Sequence, residues 1–286
     1  MQQIRACINL SMGFLMALSS RLPYRVWGDL RGFVASLGGG VLLQAATVGQ
    51  MGVLLSRIAA RSTPARLDRR ELVRHMEFMA IESLPIVGVT ALFTGAIVII
   101  QAAPVVQRFG AEGLLGWGAG FGVLREIGPL LTALMISGRV GANNTADLGT
   151  MVVTEQVDGL RALAIDPIAY LIVPRFFALI ATLALMTIFS DVLALVGAAL
   201  AGEVLVGLTM HGFYNGFTSG LIEFKDVAHG LIKSVAFGFI VALSSCHFGL
   251  ATTGGAPGVG RSVKASVVAS ATGIFALDYF LSFVVP

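Results

Sequence analysis

Between residues 85 and 106 the chain runs twenty-two residues without a charged side chain. At 1.5 Å per helical residue such a run reaches about 33 Å, enough to cross the hydrocarbon core of a bilayer. Four more apolar runs follow, at about 114–146, 168–201, 227–251 and 263–285. The second is interrupted by Arg125 and Glu126, and the third contains Asp191. The expected fold class is therefore all-α, a polytopic membrane protein with five transmembrane helices. Composition agrees. The chain is 56% hydrophobic and only 12% charged, against about 25% charged in an average soluble domain. It has too few polar groups to cover a globular surface, which excludes a soluble enzyme, a disordered tail and a collagen-like repeat. Its 35 glycines and 10 methionines suit close helix approach in lipid.

The first part of the chain reads differently. Residues 1–20 resemble a weak signal peptide, but no small-x-small cleavage site follows, so the segment is expected to be retained. Residues 33–60 are apolar, broken by Gly38-Gly39-Gly40 and closed by Arg57 and Arg61. An interfacial helix is the sharper reading there, with a full span as the alternative. A second amphipathic helix is expected at about 68–84, where Arg69, Arg70 and Arg74 share the segment with Leu72, Val73, Met76, Phe78 and Met79. This divides the chain into an N-terminal interfacial region, 1–84, and a membrane domain, 85–286. Residues 1–84 hold ten basic and five acidic side chains, and the rest hold nine and eleven. That asymmetry predicts a cytoplasmic N-terminus against anionic lipid and, after five spans, a periplasmic C-terminus. A basic patch can also mean nucleic acid, but the apolar runs argue against such a partner. Cys7 and Cys246 are too far apart and too few for a disulfide framework or a zinc site. No internal repeat is visible, which weakens an inverted-repeat transporter.

Two places carry chemistry. Within about 147–167, Val153, Val157, Leu160 and Ala164 recur at helical spacing while Glu155, Asp158 and Arg161 point elsewhere, and Asp166-Pro167 stops the pattern. That describes a short helix at the membrane surface, a shape a soluble partner can grip; a solvated turn is the alternative. Glu126 is an intramembrane carboxylate, costly unless it faces a cavity or a partner. Arg125 beside it could neutralise it or meet a phosphate headgroup, or the two could simply mark a helix end. Asp191 and Asp278 could relay protons, although satisfied interhelical hydrogen bonds are the favoured reading. The G-x-x-x-x-G-R-S run from Gly255 to Ser262 lacks the lysine and the preceding strand of a nucleotide site. His211, His229 and His247 lack ligand spacing, and Ser244-Ser245 has no base, so no metal, hydrolase or cofactor is expected in this chain.

The ordered series Leu124-Arg125-Glu126-Ile127-Gly128-Pro129-Leu130-Leu131-Thr132-Ala133-Leu134, then Gly138-Arg139-Val140-Gly141-Ala142, Asp147-Leu148-Gly149-Thr150-Met151, Thr154-Glu155-Gln156-Val157-Asp158, and Asp166-Pro167 with Val173-Pro174-Arg175, resembles the MlaE (YrbE) family. Gly254-Gly255-Ala256-Pro257-Gly258-Val259-Gly260-Arg261 and Leu277-Asp278 extend the likeness, which covers about residues 65–285. Asp147 stands where members often have Glu, Gly159 where they have Ala, and Asn143-Asn144 where small residues are usual. The family comprises permease subunits of lipid-transporting ABC systems associated with MCE-domain proteins. The resemblance implies a non-catalytic inner-membrane permease acting as a homodimer, with ATP and Mg on a separate ATPase subunit. It implies that the 149–166 segment holds the coupling helix, with Glu155, Gln156, Asp158 and Arg161 towards the ATPase. It implies transport of phospholipid or a related lipid between the inner membrane and a periplasmic MCE-type carrier. Val98, Gln101, Val105 and Phe109 form one helical stripe, and with Glu126 and Leu130 they are expected to line the lipid cavity, the headgroup lying towards Arg125 and Glu126. The alternative is an ion-coupled secondary transporter using Glu126, Asp191 and Asp278 as a proton relay.

Overall fold

The computed structural model describes residues 24–62, 69–110, 112–218, 220 and 222–284. Cys7 and the signal-peptide-like residues 1–20 lie outside the described residues. The chain divides into two compact units, residues 1–52 and 53–286. Helix α1 (Tyr24–Arg61) passes through Gly38-Gly39-Gly40 without the expected break. Each glycine costs a helix about 1 kcal/mol relative to alanine, which weakens a helix without forbidding it.

The second unit is built from the end of α1 (residues 53–61), α2 (Arg69–Arg108), α3 (Leu115–Val153), α4 (Gln156–Ala162), α5 (Ile168–Val206), α6 (Met210–Phe217), α7 (Phe224–Leu250) and α8 (Gly255–Val284). Five of these, α2, α3, α5, α7 and α8, are long and apolar enough to cross a membrane. Their limits depart from the expected ones in an informative way. The amphipathic helix expected at 68–84 is not separate but forms the start of α2, with Pro85 inside the helix. An internal proline forfeits one hydrogen bond. Here the buried residues Met79, Ser83, Val87, Ala91, Gly95, Ile99 and Ala103 recur every four positions on both sides of it and hold the two halves in line. Likewise α3 continues to Val153, past the expected end near residue 146 and into the polar stretch. Helix α8 starts at Gly255, because Gly254 and Gly255, at φ +86° and +70°, make the turn from α7 in a few residues.

Helices α2 and α5 cross closely. A Cβ on Gly95 would lie 1.7 Å from the Ala194 carbonyl oxygen, and one on Gly197 would lie 2.0 Å from that of Leu92. Only glycine at both positions lets the two backbones approach this far, as is common between helices in lipid. Around the crossing, Ala91, Val123 and Ala194 pack together, and Ile99, Ala103, Leu115, Ala119, Ala198 and Phe213 extend the core towards α6. Helix α4 marks one end of the bundle and α6 the other. Helix α3 contains π-helical turns at Val123–Ile127 and Ser137–Gly141, a local widening often found at functional sites.

Candidate functional site

Arg125 and Glu126 sit in the first of these π-helical turns, near the α6 end, and both turn towards α7. Arg125 reaches across to α7. Its Nη1 pairs with Asp226 Oδ1 at 3.4 Å, and its guanidinium lies 5.3 Å from the centre of the Phe121 ring. Asp226 is itself fixed, because its Oδ2 accepts the Glu223 N–H at 3.0 Å in the capping box that starts α7. Glu126 is paired instead with Lys233, 107 positions away, at 2.5 Å. The Lys233 ammonium donates also to Asp278 Oδ1 at 2.9 Å and to Ser282 Oγ at 2.7 Å, both on α8. An ammonium has three donors, and all three are used. The Lys233 side chain is fully buried, which the two carboxylates make tolerable, since an unpaired buried charge costs several kcal/mol. Lys233 is the centre of this cluster, and it was not among the residues expected to carry chemistry. A lone lysine inside an apolar helix was the available signal.

Asp278 thus joins an interhelical ion pair. Asp191 does not: it is buried, and its Oδ1 lies against Gly128 with no hydrogen-bond partner among the described residues. Closer to the α4 end, Asn144 is buried and donates to Ser245 Oγ at 2.9 Å, tying α3 to α7. Its Oδ1 accepts from Arg175 Nη1 at 3.4 Å.

Helix α4 is set off sharply from the bundle. Glu155 adopts φ +60° between α3 and α4, and Ala164 adopts φ +57° just past the end of α4. The Ile165 N–H reaches Leu160 O at 2.9 Å and the Ala164 N–H reaches Arg161 O at 3.0 Å. These two bonds form a Schellman motif with alanine in the place glycine usually fills. The expected pattern from Val153 to Ala164 is therefore split: Val153 ends α3 and Ala164 lies beyond α4. Val157 is buried and holds α4 down, Leu160 is half-buried, and Glu155, Gln156, Asp158 and Arg161 are exposed. Asp158 and Arg161 pair one turn apart at 2.7 Å, both about two-thirds exposed. Asp166 caps α5 by accepting the Ile168 N–H at 3.1 Å, and it also pairs with Arg61 at the end of α1. A cleft of about 410 Å³ beside α4 is lined by Leu54, Arg57, Val157, Asp158 and Arg161 among others.

The α2 stripe is less uniform. Val98 is half-buried and packs against both core clusters, towards α3 and α5. Gln101, Val105 and Phe109 are exposed, Phe109 at 80%. Leu130 is half-buried. The structure brings Glu126 to α7 and α8, and Val98 to α3 and α5.

Residues 72–284 match the family described as Permease MlaE. The chain is 36% identical to a probable ABC transporter permease protein of Rickettsia typhi, over 74% of this chain and 81% of that protein. It is 39% identical to one of Synechocystis sp., over 76% of this chain and 82% of that one. It is 28% identical to the intermembrane phospholipid transport system permease protein MlaE of Haemophilus influenzae, over 87% of this chain and 96% of the relative.

Proposed function

The chain belongs to the MlaE permease family, and from that premise we propose that it moves phospholipid or a related lipid between a bacterial inner membrane and a periplasmic MCE-type carrier. It works as a homodimer and hydrolyses no ATP itself; that chemistry belongs to a separate ATPase subunit. The observation that carries this reading is α4, a two-turn helix isolated by left-handed residues at both ends, seated on Val157 and presenting Glu155, Gln156, Asp158 and Arg161 outward. A helix so held transmits a push from a soluble motor into α3 and α5. The Arg61–Asp166 pair at the foot of α5 stiffens the same joint.

The α4 end faces the cytoplasm. Arg57, Arg61, Arg69, Arg70, Arg74, Arg161, Arg261 and Lys264 belong to that end, against Arg108, Arg125, Lys225 and Lys233 at the other, in accord with the retention of positive charge inside. Gln101, Val105 and Phe109 are exposed in the single chain, which supports a lipid cavity completed by a second copy. In this reading the headgroup lies towards the partly exposed Arg125 and Glu126. The test is reconstitution of the full chain and its ATPase in proteoliposomes, with a soluble MCE acceptor and a fluorescent phospholipid. ATP-dependent transfer that vanishes with an inactive ATPase is expected. Transfer driven by a proton gradient without the ATPase would overturn the reading in favour of ion coupling.

A further inference from the structure

A second cleft, of about 700 Å³, lies at the α4 end between the charged first turns of α2 and the facing parts of α3 and α5. Its floor is Arg175. This side chain is 8% exposed, yet among the described residues its Nε has no hydrogen-bond partner. Among the described residues its Nη1 makes only the long 3.4 Å bond to Asn144, and its nearest carboxylate, Asp147, is 4.0 Å away and 61% exposed. A guanidinium offers five donors in a planar fork. Buried with so little satisfied, it is a strong acceptor-seeking group at the bottom of an open space.

The walls narrow the choice of ligand. Four carboxylates, on Glu71, Glu77, Glu82 and Asp147, and two guanidiniums, on Arg74 and Arg175, line the cleft. The acidic surplus repels a bare anion or an acidic protein segment, whereas a ligand with its own cation satisfies both signs. Phe78 and Ile81 beside it are each 58% exposed and offer apolar surface to an acyl chain. Glu82 stands three residues before Pro85, where the charge-free run begins, so the cleft lies at headgroup depth. We propose that it is a lipid site for a phosphodiester headgroup carrying a primary amine. The phosphate sits on Arg175 and Arg74, the ammonium on Glu82 and Asp147, and the acyl chains lie along Phe78 and Ile81. The site is at the opposite end of the bundle from Glu126. It rests on the lipid-transporter reading for its membrane setting alone and on no step of transport.

The test uses the full chain in phosphatidylcholine vesicles doped with phosphatidylethanolamine or phosphatidylglycerol carrying an acyl-chain diazirine. Labelling at residues 74–82 is read by peptide mass spectrometry, with residues around Val105 as the internal reference. The ethanolamine lipid should label 74–82 more than the glycerol lipid. Arg175→Gln should cut that labelling about tenfold, the loss expected for a charge-assisted hydrogen bond, without changing the Val105 region. Glu82→Gln, on the rim and outside the Arg175–Asn144 contact, should erase the preference for the ethanolamine lipid while labelling persists; it carries the test if Arg175→Gln fails to insert. Equal labelling by both lipids in the parent chain, or labelling indifferent to both substitutions, would overturn the proposal. So would competition by inorganic phosphate but not by unlabelled phosphatidylethanolamine, which marks a free-anion site. Labelling abolished whenever the ATPase is bound, in every lipid mixture, would assign the cleft to that protein. Failure of transport with intact ethanolamine-selective labelling would leave this site standing on its own.

Discussion

The two ends of the bundle handle charge in opposite ways. Near the α6 end, Lys233 is sealed from solvent and all its donors are committed to Glu126, Asp278 and Ser282, so three helices are locked by one ammonium. At the α4 end, Asp158 and Arg161 make a pair of similar length in the open, two-thirds exposed on each side. A buried ion pair is costly to break because one partner is then stranded, whereas an exposed pair contributes little. Charge at the first end sets the architecture of the bundle, and charge at the second is free to be spent on a partner.

The sharpest way to break this contrast is Lys233→Met. It leaves Glu126 and Asp278 facing each other without a cation, and the cost should be about 3–5 kcal/mol, read as loss of thermal stability of the purified protein in detergent. Adding Glu126→Gln and Asp278→Asn should recover much of it; a parent-like melting curve for Lys233→Met alone would refute the buried-charge account. Between the ends, packing should dominate. Gly95→Ala pushes a methyl into the Ala194 carbonyl, and overpacking of this kind costs about 1–3 kcal/mol, measurable by the same melt. At the α4 end the effects should be small and partly of opposite sign. Ala164→Gly relieves a left-handed alanine and should raise stability by up to about 1 kcal/mol. Asp158→Ala should shift stability by no more than about 0.5 kcal/mol while weakening ATPase binding in a pull-down.

The same contrast explains what could be read from the sequence. The five spans were legible because twenty or more apolar residues in a row have few other fates. The short helix at 156–162 was legible in outline, because Val157 and Leu160 keep helical spacing. Its limits were not, because they depend on Glu155 and Ala164 taking positive φ, which neither residue type advertises. Glu126 could be singled out as costly, yet its partner could not be found locally. Arg125 is adjacent in sequence, but it pairs with Asp226 on α7, and the partner of Glu126, Lys233, arrives from that same distant helix. The inward face of α2 was likewise set by its partner: the glycine contacts with α5 select Ala91, Gly95 and Ile99 over the neighbouring stripe through Val98.

The central claim is that α4 receives the motor's push through its exposed side chains. The most direct measurement is the rate of ATP hydrolysis and lipid transfer by the complex carrying Glu155→Lys, beside its melting temperature and its insertion. Glu155 is exposed and its positive φ is as accessible to lysine as to glutamate, so folding is left alone and only the docking charge is reversed. Unchanged melting and insertion, with ATPase stimulation and transfer both lost, is the predicted result. Full stimulation and normal transfer in that variant would contradict it.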